Sequence, residues 1–364
     1  MAHLSGLLLI DCPASALNNA GAVEDARTDN TVAVKRISSK AGVFPYVSAQ
    51  AFRYWLRSIL SKMDGWTSSP VFREGKIAYT DANPIQYAED DVFGYMRAPS
   101  GSAEAKKLRE EQGIDNKATA MQDKVTLTRQ SPLKVSTLVS IAPLREVTTD
   151  FGVMARQEGN AVPFEHEFYR TTLSGLYSMD LAMLGRFYSV NRSGFKHLDE
   201  VRLKQAIELK LAPFDDGRAY ELPLAERKNR LSKVLLALGE LTGGAKLAMH
   251  YTDVAPKLLI MAVTKGGNHI FSTAVGADAK GLPLIKHDAI KEIARVYKDE
   301  IISGMYVGLP QGYLDEQRAE LSATLNEISK GAEYNNRCTF LGHPREAIKK
   351  LLADLETEAS VWLA

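Results

Sequence analysis

The chain has 364 residues, 45% hydrophobic and 24% charged, which is the balance of an ordinary globular protein with room for two or three average domains or one core with large insertions. A formal net charge of +1 excludes a uniformly basic surface. Any polyanion site must therefore come from local segregation of charge.

In chain order, MAHLSGLLLIDC is apolar only from Leu7 to Ile10. That is too short for a signal peptide or a membrane span, and no later run is long enough to span, so a cytoplasmic protein is expected. The two cysteines, Cys12 and Cys338, form no C-x-x-C pair and are expected as buried free thiols in a reducing compartment. Leu4–Asp11 is expected as a buried strand, followed by the polar, turn-rich Ser15–Asn30.

The window from Asn30 to Met63 carries six Lys or Arg and no Asp or Glu. Within it, KRISSKAGVFPYVSAQAFRYWLRSIL sets a basic, serine-rich loop (Lys35, Arg36, Ser38, Ser39, Lys40) against a helix capped by Ser48 and running to about Lys62. Ala49, Phe52, Leu56, Ile59 and Leu60 form its apolar stripe, while Gln50, Arg53 and Arg57 fall on another face. A backbone of regularly spaced phosphates suits this arrangement. Amides at the helix N-terminus can hold one phosphate, Gln50 can donate to another, and two arginines can each fork onto phosphate oxygens. Neutralising about five phosphates implies a single-strand salt slope of roughly −3.5. The bland alternative is a solvated helix face with arginine stems packed on neighbours.

From Asp64 to Lys124 the composition changes, and Ala98–Lys124 has little to bury apart from one short solvated helix, which predicts a mobile insertion. Lys134–Ile141 and Thr172–Leu181 are expected as strands. If they pair, the segment from Leu144 to Arg170 must project as an arm. Its stretch Phe151, Val153, Met154, Arg156 can wedge between bases; equally, Phe151 and Met154 can tuck against a neighbouring copy or their own core. Leu198–Leu211 and Pro223–Leu241 read as helices, with Gly243-Gly244 closing the second. Lys246, His250 and Tyr251 can line the same groove or pack on the sheet. Leu258–Val263 and Ile270–Val275 are expected to form a hairpin, and three helices near Lys286–Ser303, Leu314–Lys330 and Arg345–Trp362 close the chain. The seven histidines show no metal-ligand spacing, and His166 is expected to be structural. No Walker motif, G-x-S-x-G or H-E-x-x-H occurs, and no cofactor is expected. The major elements follow a β-α-β-β-α-β order, an α+β core of ferredoxin-like or RRM type.

Several segments resemble the DevR-type backbone subunit of Cascade, the CRISPR-associated RNA-guided surveillance complex. They are HLSGLLLIDCPASALNNAGAVEDA, VKRISSKAGVFPYVSAQAFRYWLR, DDVFGYM, TRQSPLKVSTLVSIAP, EFYRTTLSGLYSMDLAMLGRF and LTGGAKLAMHYTDVAPKLLI, in that order over most of the first 275 residues. The resemblance implies an RRM-like palm over residues 1–63, 125–145 and 168–280, with helical additions at 186–241. It further implies a finger at 64–124, a thumb hairpin at 146–167 and C-terminal helices at 281–364 packed on the palm. It implies a filament of many copies along a CRISPR RNA, whose phosphates are held near an SSQ-type stretch, here Ser48-Ala49-Gln50. The aromatic motifs of a true RRM are absent, which argues against base stacking on the sheet. The implied partners are the guide RNA, a target DNA strand, an RNA-processing endonuclease, a foot-end subunit and a large subunit. Two other readings stay open. One is a target-RNA endonuclease using Asp25, or its neighbour Asp29, in the loop after the first strand. The other is a free-standing nucleic-acid-binding regulator.

Overall fold

The computed structural model describes residues 1–22, 28, 30–74, 76–98, 103–111, 126–154 and 160–364. The fold is mixed α+β, built on one large mixed sheet. Its main path runs Thr339–Gly342, Met305–Gly308, Leu258–Lys265, Ala2–Ser15, Val162–Asp180, Leu138–Ser140, Gly42–Val47, Arg36–Ser39. Neighbours along the path are antiparallel except Met305–Gly308 with Thr339–Gly342.

The first strand explains its own sequence. Leu4, Leu8, Ile10 and Cys12 face one core and Leu7 and Leu9 the other, so both faces are buried and the run shows no alternation. On the first face lie the helices Ala49–Leu60, Leu224–Gly239 and Pro344–Trp362, contributing Phe52, Leu56, Leu235 and Leu351 to that core. On the second lie His287–Val296 and Asp315–Lys330, contributing Ile290 and Leu321. Neither face of the central strands is an open platform.

Gly6 sits directly across from Tyr177, whose ring occupies the place a Cβ would take. Tyr177 is itself 1% exposed and has nowhere to go. Gly6→Ala is therefore expected to destabilise the fold by about 1–3 kcal/mol through overpacking, read as a lower midpoint of urea unfolding.

Several expectations are corrected. The strand anticipated at Lys134–Ile141 is two short strands, Leu133–Val135 and Leu138–Ser140, both paired with Val162–Asp180. A one-residue bulge separates them, with the Leu176 N–H donating to the Ser136 hydroxyl at 2.8 Å, which accounts for the broken alternation. Ile270–Val275 forms no hairpin with Leu258–Lys265. That edge is taken by Met305–Gly308, and Ile270 and Phe271 are buried in the second core instead. Residues 281–364 are not helices alone, since they supply two strands to the sheet. The helix anticipated at Leu198–Leu211 is shorter, Glu200–Glu208, capped by the Asp199 carboxylate. Cys12 is buried, but Cys338 is exposed.

The first part of the insertion is held firmly. Its short helix Ala88–Phe93 supplies Asp91, whose carboxylate accepts from Arg129, from Arg230 at 2.8 Å and from the Gly185 N–H at 3.0 Å. Asp81 meets Arg202 at 3.0 Å and Arg97 at 3.5 Å, and Arg202 also holds Asp199 at 2.8 Å. All of these groups are buried. The segment expected to be mobile, Ala98–Lys124, falls largely outside the described residues, at 99–102 and 112–125; its helix Ala103–Glu111 is exposed where described.

Candidate nucleic-acid interface

The segment expected as a basic loop is a β-hairpin, Arg36–Ser39 with Gly42–Val47, at one end of the sheet path. Gly42 lies at φ +130°, and a Cβ there would strike the Leu144 carbonyl, which accepts the Val43 N–H at 2.8 Å. Only glycine permits that approach. The Ser39 hydroxyl closes the turn, donating to the Gly42 carbonyl and accepting the Ala41 N–H, each at 3.1 Å. Arg36, Ile37, Ser38, Ser39 and Lys40 are exposed, and Lys35 is half-buried.

The second strand of the hairpin feeds the first helix. Ser48 caps it, accepting the Ala51 N–H at 3.3 Å, and no acidic residue stands in the first turn. Gln50 is exposed beside this N-terminus. Orphan amides and positive dipole end thus open onto the basic hairpin.

The arginines differ from expectation. Arg53 donates to the Ser131 hydroxyl at 3.1 Å, the Leu133 carbonyl at 2.9 Å and the Phe93 carbonyl at 2.6 Å. Arg57 pairs with Glu89 at 3.1 Å. Both guanidinium groups lie over the Phe93 ring, at 5.0 and 4.3 Å from its centroid. Burial, with Arg57 nearby, lowers the Arg53 pKa to about 10, which leaves it charged. The insertion lies against Arg53 and Arg57 on the face that helical spacing presents as open, while Gln50 stays exposed. Arg53 is therefore not a free fork; it ties the insertion to the helix. Arg36 is likewise engaged, with Glu167 at 2.7 Å. Lys35 and Lys40 have no acidic partner among the described residues. Among the described residues, the five cations Lys35, Arg36, Lys40, Arg53 and Arg57 form two ion pairs, Arg36 with Glu167 and Arg57 with Glu89.

The arm pairs Thr148–Met154 with Val162–Phe168 in a ribbon continuous with the long strand of the sheet, and at its root Glu165 and His166 also pair in parallel with Thr31 and Val32. Phe151, Val153 and Met154 are about half exposed, at 48%, 51% and 60%. Arg156 lies outside the described residues, as do Asp25 and Asp29.

The helix Leu224–Gly239 ends at a Glu240 cap, ahead of Gly243 and Gly244. A Cβ at either would strike Trp55 or Leu17, so the segment beyond lies close over the first helix and first strand. The Ala245 N–H bonds the Leu17 carbonyl at 3.0 Å, and the Thr252 and Ser15 hydroxyls meet at 2.7 Å. Lys246 is half-buried, and burial lowers its pKa. His250 does not stand open in a groove: its Nε2 lies 2.6 Å from His166 Nε2, and its ring stacks on Phe168 at 4.9 Å. Tyr251 beside it is 79% exposed. Glu89, Phe93, Glu167 and His166 carry contacts that no local spacing signals. Among the described residues no group of three His, Cys, Asp or Glu could hold a metal ion, and no helix is long and apolar enough to cross a membrane.

A family model described as the CRISPR-associated negative auto-regulator DevR/Csa2 matches residues 10–279. No curated protein sequence matches the chain. Among solved structures, a chain of a CRISPR RNA-guided surveillance complex in a pre-nicking state shares 11% identity at a TM-score of 0.50, and one of a CRISPR RNA-guided surveillance complex shares 10% at 0.46. Both alignments cover 97% of this chain and 99% of the other. At such identities the first speaks for a shared fold, and the second carries no weight.

Proposed function

The chain belongs to the CRISPR-associated DevR/Csa2 family, and on that premise we propose that it is a non-catalytic, multi-copy backbone subunit that polymerises along a CRISPR RNA. The observation that carries this reading is the exposed hairpin Arg36–Val47, with Lys35 and Lys40 unmatched by acids among the described residues, running straight into an acid-free helix N-terminus at Ser48. Such a strip grips sugar-phosphate and leaves base edges free. Phosphate contacts fix register and orientation without reading sequence, which a guide carrier needs.

In this reading Lys35, Lys40, the serines Ser38 and Ser39, the Ser48 amides and Gln50 meet the backbone directly, with Arg36 and Arg57 at its margin. Arg53 acts by holding the insertion in place. Lys246 lies toward the base of the ribbon, whose apolar residues Phe151, Val153 and Met154 kink the strand or seat against the next copy. Target DNA then pairs with the displayed bases, and the duplex is held by shape. The four-strand order Leu258–Lys265, Ala2–Ser15, Val162–Asp180, Leu133–Ser140 is in keeping with a ferredoxin-like palm, with the helices Ala49–Leu60 and Leu224–Gly239 on one face. Other Cascade subunits, namely the RNA-processing endonuclease, the foot-end subunit and the large subunit, complete the assembly.

The test is co-expression with a CRISPR array and its neighbouring genes. The expected result is co-purified RNA of discrete length with little sequence bias, left intact along with any complementary RNA. Asp25-dependent cleavage of complementary RNA at regular spacing would overturn the non-catalytic assignment. Preferential binding of duplex DNA by a defined oligomer would overturn the backbone role.

A further inference from the structure

The root of the ribbon is fastened on two sides by different chemistry. On one face Glu167 accepts from the Val34 N–H at 2.9 Å and from Arg36 at 2.7 Å, and Glu165 accepts from the Thr31 hydroxyl at 3.3 Å. The His166 face meets the Lys246–Thr252 segment through a pair of imidazoles and the stacking of Phe168 on His250, while the backbone of Glu165 and His166 is held separately by pairing with Thr31 and Val32. His166 and His250 meet Nε2 to Nε2 at 2.6 Å, flanked by Phe164 stacked on His166 at 5.8 Å and Phe168 stacked on His250 at 4.9 Å.

We propose that His166 and His250 form a proton-operated clasp that holds the ribbon root to the Lys246–Thr252 segment at neutral pH and opens in mild acid. Two imidazole nitrogens at this separation require one proton between them; with two, a pair of N–H groups collide, and with none there is no bond. The tautomer follows from burial. His166 is 1% exposed, and its Nδ1 has no hydrogen-bond partner among the described residues. A bare lone pair there costs less than a buried N–H without an acceptor, so His166 carries its proton on Nε2 and donates it to His250. Protonating His250 removes that acceptor.

The charged groups facing the pair set the direction. Asp150, opposite His166 on the partner strand, places its carboxylate 3.5 Å from the same nitrogen, while Lys246 approaches from the segment that bears His250. For His166 burial dominates, and Lys246 and His250 add to it, so its pKa lies below the ordinary value of 6.5 despite Asp150. A histidine whose folded pKa is depressed gives stability that is fully present above its unfolded pKa and lost as pH falls below it. The clasp is thus closed at pH above about 7 and opens progressively below about 6.5.

The clasp belongs to the chain itself; only its effect on a bound strand rests on the function proposed above. The experiment is hydrogen exchange across Thr148–Phe168 in the RNA-free, full-length protein from pH 7.5 to 5.5, corrected for intrinsic rates. Opening is expected to raise exchange near Thr148–Asp150 and His166–Phe168 by about tenfold, the scale of one lost hydrogen bond. In His250→Phe, which keeps a ring against Phe168, exchange there should be fast at pH 7.5 and independent of pH. A companion NMR measurement of the wild-type imidazole nitrogens at pH 7.5 should show the shared proton on His166 Nε2 and none on His250 Nε2. A flat wild-type exchange profile, a pH response that survives in His250→Phe, or loosening by a chelator at constant pH would each overturn the clasp. None of these results depends on RNA, so the clasp and the guide-binding role fail separately.

Discussion

Asp91→Ala is expected to cost about 3–5 kcal/mol of stability, because it strands buried guanidinium groups without their shared counter-charge. Asp91 is fully buried and is the common partner of Arg129 and Arg230, while also capping the Gly185 N–H. Both arginines are about 2% exposed, so water does not replace the lost carboxylate where they stand. Arg230 keeps Glu226 at 2.9 Å and the Pro84 carbonyl at 2.7 Å, so the loss should stop short of the full desolvation penalty of two ions. Urea unfolding would measure it, and limited proteolysis should find new cleavage within residues 64–98, where docking depends on this carboxylate. A loss below about 1 kcal/mol, the range of an exposed pair, would mean the network does not hold the insertion.

The second large effect concerns the nucleic acid. In the complex carrying Lys35→Ala and Lys40→Ala together, the salt slope of RNA binding per subunit is expected to become shallower by about 1.4, the value for two lost single-strand phosphate contacts. Affinity at low salt should fall alike for all sequences if, as proposed, these side chains meet phosphates and no base edge. Both side chains lie on the exposed hairpin and its margin without acidic partners among the described residues, so the fold should be spared. Filter binding or fluorescence anisotropy across a salt series checks both points. An unchanged slope in a folded protein would take the phosphate path away from this hairpin. Reversing Arg53 or Arg57 would give no such clean result. Those groups also secure Phe93, Ser131, Leu133 and Glu89, so their loss would disturb the insertion together with any RNA contact.

Particular residues show how far local signals reach. Ser48 was legible as a cap because capping is settled within three residues, and the unalternating Leu7–Ile10 run announced a strand buried on both faces. The ribbon was legible from two strand patterns bracketing a segment whose ends had to meet. Ile270–Val275 failed for the opposite reason. Its apolar residues fit a strand as well as a buried turn, and the choice fell to Met305–Gly308, which competes for the same sheet edge from far along the chain.

The amino-acid order alone determined the α+β class, the central strand, the capped first helix and the concentration of positive charge between Asn30 and Met63, since each follows from neighbours in sequence or from short-period patterning. Folding decided which of those charges remain available: Glu89 and Phe93 return from the insertion to occupy Arg53 and Arg57, Glu167 takes Arg36, and His166 finds His250 eighty-four residues away. An ion's partner is set by proximity in space, and local spacing carries no record of a contact made by chain closure.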